Sequence, residues 1–181
     1  AYGDLPPGML PKQPWKSASV LVPLVERSSG HTVLLTKRTD QLQYHSGQVS
    51  FPGGSAEHID RGPIQTALRE TEEETGLARN FIEVIGYLDG YLTITGYAVT
   101  PVVGLVQPGF RLRPDPVEVA EIFEVPLVWL CDPGNLQVHR RQLAGQEVGY
   151  YQFDYDGHTI WGATAAMLVG FVGKLEQWTA V

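Results

Sequence analysis

Apolar and polar positions follow two rhythms along this chain. "ASVLVPLV" (18–25) and "HTVLLTKR" (31–38) are apolar, β-branched runs separated by "ERSSG", which predicts a β-hairpin. From Pro63 the period lengthens: Ile64, Ala67, Leu68, Thr71 and Thr75 recur at helical spacing, with Gly62 and Pro63 as a start and Gly76 as a left-handed stop. "FIEVIGYL" (81–88), "YAVTPVVGLV" (97–106) and a stretch within "VEVAEIFEVPL" (117–127) read as strands. "EVGYYQFDY" (147–155) alternates like a late strand, and "WGATAAMLVGFVGKLEQW" (161–178) has the length and apolar content of a closing helix. Residues 1–16, rich in Pro and Gly, are expected to form an irregular arm, and 17–181 a single domain of α/β class with a mixed sheet flanked by helices.

Composition narrows the setting. At 181 residues and 43 % hydrophobic, the chain can bury a proper core. One cysteine, Cys131, allows no internal disulfide and no thiolate zinc cluster, so a reducing, cytoplasmic home is expected, with Cys131 itself a small core residue. No apolar run is long enough to cross a bilayer, and "AYGDLPPGMLPKQPWK" lacks the pattern of a secretory leader, so neither membrane nor export is expected. A formal net charge of −7 argues against a nucleic-acid groove. An anionic ligand would need a cation to join it.

That charge is concentrated in one place. "RETEEETG" (69–76) holds Glu70, Glu72, Glu73 and Glu74 within five positions of the expected helix. With Glu70 at zero and about 100° per residue, Glu73 falls at about 300° and Glu74 at about 40°, beside the apolar face, while Glu72 at about 200° points to solvent. Like charges at these spacings cost about 0.2–0.5 kcal/mol each in an exposed helix, and more where water is excluded. Arg69 can reach Glu73 or Glu72 but cannot balance the whole face. Hard oxygen ligands on one helical turn suit Mg²⁺ or Mn²⁺. A solvated charged face is the ordinary reading of such a run. What favours a site is "FPGGSAEHID" just upstream, with its glycine pair and the further acids Glu57 and Asp60.

These residues resemble the signature of the Nudix hydrolases. That signature runs from Gly through five residues to Glu, then seven more to Arg-Glu-aliphatic-any-Glu-Glu-any-Gly-aliphatic. Arg69, Glu70, Glu73, Glu74, Gly76 and Leu77 match its end. Counted from Gly54, the acid after five positions is Asp60 instead of Glu, eight residues then precede Arg69, and Thr71 stands at an aliphatic position. The acidic pair in "GGSAEHID" is similar to the coenzyme A pyrophosphatase branch, with Glu57 in place of its first Asp. So is "LLTKRTDQLQYHSGQVSFPGG", which matches that branch at Leu34, Leu35, Thr36, Arg38, Gly47, Phe51, Pro52, Gly53 and Gly54 and departs at Thr39 and at Gln43, where the branch has Arg. "TPVVG" (100–104), "EVAEIFEVPL" (118–127) and "WGATA" (161–165) extend the likeness over about residues 17–177.

The resemblance implies an α/β/α sandwich with a mixed sheet, and metal-assisted attack of water on a pyrophosphate in a nucleotide derivative. For coenzyme A or an acyl-coenzyme A the products are 3′,5′-ADP and 4′-phosphopantetheine or its acyl form. Glu70 and Glu74 are implied metal ligands, with the Gly54 carbonyl, and Glu73 is a further ligand or the general base. Arg69 would hold its carboxylate neighbours in place. Arg38, Gln43 and Phe51 are the implied substrate-binding residues, although an ordinary salt bridge is an equal reading for Arg38. Nucleotide sugars, dinucleoside polyphosphates or NADH remain alternative substrates, as does a noncatalytic nucleotide sensor, and the sequence admits a homodimer. His45 and His58 read as surface residues. Glu118, Glu121 and Glu124 read as solvated strand residues, one of which could reach the site. Trp161 reads as core packing at a helix start or as an adenine stack.

Overall fold

The computed structural model describes residues 14–40, 47–143 and 145–179. The two long apolar runs form the expected antiparallel hairpin, β1 (Lys16–Arg27) and β2 (Gly30–Arg38), with Leu24 opposite Val33. β1 takes in Lys16 from the end of the expected arm, and residues 1–13 of that arm lie outside the described residues. Two short strands follow, β3 (Val49–Ser50) beside β2 and β4 (Gly53–Ser55) beside β1. The helix α1 (Pro63–Thr75) comes next, then β5 (Ile82–Tyr87), β6 (Tyr91–Leu92), β7 (Tyr97–Val106) and β8 (Val119–Pro126). These strands make one eight-stranded mixed sheet, in which β1 runs parallel to β7 and antiparallel to β2. After a four-residue helix α2 (Leu127–Leu130), a second sheet forms from β9 (Gln137–Leu143), β10 (Gln146–Tyr155) and β11 (His158–Trp161), and α3 (Gly162–Thr179) closes the chain. Trp161 therefore ends a strand and does not start the helix.

Period-two alternation sends successive side chains of the central strands to opposite layers. On β1, Val22 and Leu24 join the core shared with Phe153 and Ile160 of the second sheet and Leu168 and Phe171 of α3. Leu21 points the other way and packs with Ala67 of α1 and Val102 of β7. The expected α/β/α sandwich is thus present, with the second sheet sharing the α3 layer.

Local chemistry bounds α1 as the sequence implied. Pro63 occupies the first turn, and Gly76 ends the helix at φ 70°, its N–H bonded to the Glu72 carbonyl. The buried face is unusually rich in threonine. Thr71 and Thr75 are fully buried, and their hydroxyls donate to the Ala67 and Thr71 carbonyls at 2.6 Å, so each polar group is satisfied within the helix. This is how Thr71 stands where the signature has an aliphatic.

Candidate active site

The site is built where β4 passes under α1. At Gly53, φ is +154°, and a β-carbon would overlap the Ser19 carbonyl and the Val20 α-carbon. Glycine here lets β4 lie close on β1 while its N–H donates to the Glu74 carboxylate at 3.1 Å. At Gly54 the crowding is different: a β-carbon would sit 2.5–2.7 Å from the carboxylate atoms of Glu70. The glycine pair is therefore a seat for two glutamates one helical turn apart.

Arg69 organises the other acids. It makes a two-pronged contact with Asp60 (Nε–Oδ1 3.1 Å, Nη2–Oδ2 2.9 Å), donates through Nη1 to Glu70 at 2.9 Å and Glu73 at 3.1 Å, and donates through Nη2 to the Ser55 carbonyl at 3.1 Å. Glu57 lies 3.7 Å from Nη1. Of its two expected partners Arg69 thus takes Glu73, while Glu72 pairs with Arg79 in solvent. Asp60 also accepts from the Glu57 N–H and the Thr66 hydroxyl, and its side chain is 5 % exposed. The Arg69 hydrogen bonds, followed by the Glu57 N–H, hold its carboxyl well below the usual carboxylate range.

Glu74 is the outlier. It is 4 % exposed, and burial pushes its carboxyl up to about 7 against the opposing pull of the Gly53 N–H and of Arg38, 3.6 Å away. Burial likewise raises Glu70, more than Arg69 lowers it. Arg38 also lies 3.7 Å from Glu118, at the edge of β8, whose charge bears on both Glu70 and Glu74. Of the three late glutamates, Glu118 is the one that reaches the site; Glu124 pairs with Arg27 and Glu121 with His158.

Two guanidiniums, Arg38 and Arg69, thus face six carboxylates: Glu57, Asp60, Glu70, Glu73, Glu74 and Glu118. As the side chains stand, no three His, Cys, Asp or Glu groups among the described residues converge on one point that could hold a metal ion. The donor set nevertheless fits a hard divalent cation. Glu70 and Glu74 share the glycine seat, and both are raised by burial because too little positive charge compensates them.

A cleft of about 540 Å³ opens from Gly53, Gly54 and Arg38 and runs between the main sheet and the second sheet. Tyr91 and Tyr97 line it from the main sheet, and Tyr150, Trp161 and Arg141 from the second. Trp161 is thus a wall residue, in edge contact with Tyr150. Phe51 borders the cleft but is 1 % exposed and packs in the core, so it offers a substrate almost no surface. Gln43 and His45 lie outside the described residues, and His58 is exposed. Cys131 is half-buried at the end of α2 instead of in the core. The wall formed by Arg141 and Tyr150 escaped sequence reasoning, because "QVHRRQL" carries no apolar face to mark a strand. The role of Asp60 was legible only as an acid out of register.

Comparison with known proteins agrees with this geometry. A family model described as NUDIX domain matches residues 15–145. A relative named "Uncharacterized Nudix hydrolase NudL" from Photorhabdus laumondii is 44 % identical over 156 residues, covering 84 % of this chain and 81 % of the relative. A protein of the same name from Pectobacterium atrosepticum is 40 % identical over 168 residues, covering 91 % and 85 %. Among solved structures, the Nudix hydrolase RenU from M. smegmatis superposes with a TM-score of 0.54 at 23 % identity, covering 65 % of this chain and 74 % of that one, a likeness of fold. Among the described residues, no helix is long and apolar enough to cross a membrane.

Proposed function

The chain belongs to the Nudix hydrolase family, and from that premise we propose that it cleaves the pyrophosphate of coenzyme A or an acyl-coenzyme A, giving 3′,5′-ADP and 4′-phosphopantetheine or its acyl form. The observation that carries the hydrolytic part is the undercompensated pair Glu70 and Glu74 on the glycine seat, at the edge of a cleft whose charged lining is cationic. The substrate part rests on the segment from Leu34 to Gly54, which resembles the coenzyme A branch and supplies Arg38 and the glycine pair to that cleft.

In this reading Glu70 and Glu74, set against Gly54 and Gly53, would hold Mg²⁺ or Mn²⁺ together with the Gly54 carbonyl, with Glu73 beside them. A bound divalent cation supplies positive charge against the bridging phosphates and raises the acidity of water there. Arg69, anchored by Asp60, fixes Glu70 and Glu73 in orientation. Glu73, with a side chain 59 % exposed, has the solvent access a general base needs. It takes the proton as the water oxygen bonds to phosphorus and the bridging P–O bond breaks toward the leaving phosphate. Arg38 contributes a fixed positive charge toward a substrate phosphate at the cleft edge.

The test is a panel of pyrophosphate substrates with Mg²⁺ or Mn²⁺, read by product mass. Coenzyme A should give the two stated products, and chelator should abolish turnover. Faster cleavage of a nucleotide sugar, a dinucleoside polyphosphate or NADH would replace the substrate assignment, as the loss of Arg at Gln43 favours. No turnover on any of them would point to a binding module.

A further inference from the structure

Arg141 is a cation with no role in the catalytic network. It lies on β9 opposite Val148, and the pairing register puts Val148, Tyr150 and Trp161 on its face of the second sheet, while Phe153 and Ile160 point into the core. Its guanidinium carbon sits 5.7 Å from the Tyr150 ring centre and 5.6 Å from that of Trp161. Such contacts engage the π face and leave the N–H edges free to donate. Its neighbour Arg140 is paired with Glu147, but Arg141 has no carboxylate within 4.0 Å among the described residues. Although acids outnumber bases 20 to 13 in the chain, the cleft lining contains no Asp, Glu or Lys among the described residues, and its charged members are Arg38 and Arg141. Arg38, at the end of β2 in the main sheet, faces Glu74 and Glu118 beside the glycine seat, whereas Arg141 stands on the second sheet.

We propose that Arg141 is a specificity residue that binds a phosphate monoester on the substrate, remote from the pyrophosphate being cleaved. The proposal rests on the coenzyme A reading, in which this group is the 3′-phosphate. It also explains how the chain manages without the Arg that Gln43 replaces: the charge comes from the second sheet. A guanidinium held over two aromatic rings suits a phosphate dianion because its fork meets two oxygens at once. The aromatic partners Tyr150 and Trp161 lie beyond residue 145, where the family match ends, and Arg141 lies just inside it.

The experiment compares coenzyme A with dephospho-coenzyme A in wild type, Arg141→Gln and Arg141→Lys. Alongside it, calorimetric binding compares 3′,5′-ADP with 5′-ADP. Arg141→Gln should raise KM for coenzyme A by about tenfold to a hundredfold, leave kcat within about twofold, and leave the dephospho substrate unchanged. Arg141→Lys should restore part of the difference, since it keeps the charge and loses the fork. Equal effects on both substrates, or none, overturn the proposal. If coenzyme A is not hydrolysed at all, the functional reading fails, and the calorimetry then decides alone. Selective loss of 3′,5′-ADP affinity in Arg141→Gln upholds the phosphate site, and an unchanged ratio of the two affinities rejects it.

Discussion

Glu74 should make the stability of the metal-free protein fall as pH rises from about 4.5 to about 7. Its carboxyl is pushed from an ordinary 4.5 to about 7, chiefly by burial. The folded protein therefore binds more protons than the unfolded chain between those values, so stability declines with pH across that window. The stabilisation is fully present below about 4.5 and is lost as pH climbs through about 7. At roughly 1.4 kcal/mol per pH unit, the whole displacement is worth about 3 kcal/mol. Asp60 does not confuse the measurement. Its lowered carboxyl acts in the opposite sense, and that stability is lost only as pH falls below its ordinary 3.8. The assay is urea unfolding in chelator at about pH 5 and about pH 8, for wild type and Glu74→Gln. Wild type should lose about 2.5 kcal/mol more than the variant over this range, since part of the loss has already occurred at pH 5, and saturating Mg²⁺ should remove the difference by favouring the ionised carboxylate. Parallel pH profiles for the two proteins, within about 0.5 kcal/mol, would refute the reasoning that burial of an undercompensated charge governs this residue.

The glycine pair should separate folding from activity. Gly53→Ala forces a β-carbon into the backbone of Ser19 and Val20 and should abolish soluble, cooperatively melting protein; Gly54→Ala meets first the movable end of Glu70, and should melt within a few degrees of wild type while losing about a hundredfold in kcat. A Gly54→Ala enzyme with full activity would remove Glu70 from the metal site. Asp60→Asn leaves Arg69, 12 % exposed, without its forked partner; a loss of about 3 kcal/mol in urea unfolding is expected, and a loss below about 1 kcal/mol would mean that Glu70 and Glu73 suffice to hold the guanidinium. Glu70→Gln, nearly isosteric, should abolish turnover and leave thermal stability in chelator level or raised, because it removes a carboxylate that burial already disfavours; a collapsed fold would contradict that.

The sequence by itself determined the elements whose signals are local. Proline and glycine bound α1, the angular positions of Ile64, Ala67 and Leu68 aim it at the sheet, and the apolar runs of β1, β2 and β7 identify the central strands. Each of these depends on residues within a few positions, and the 3.6 and 2.0 periods carry the information. The resemblance at "RETEEETG" likewise located Glu70, Glu73 and Glu74 without reference to any distant partner. What the tertiary structure alone decided are contacts between segments remote in sequence. That Arg69 is anchored by Asp60 depends on how the chain turns into α1. That Arg38 faces Glu118 depends on the β2–β8 register, which shifts between Lys37 and Arg38. β9 is a strand only because β10 supplies its hydrogen bonds, since its side chains are mostly exposed and carry no apolar rhythm. That pairing turns Arg141 into the cleft beside Tyr150 and Trp161, and no local pattern among "HRRQL", "GYYQF" and "TIW" could have brought them together.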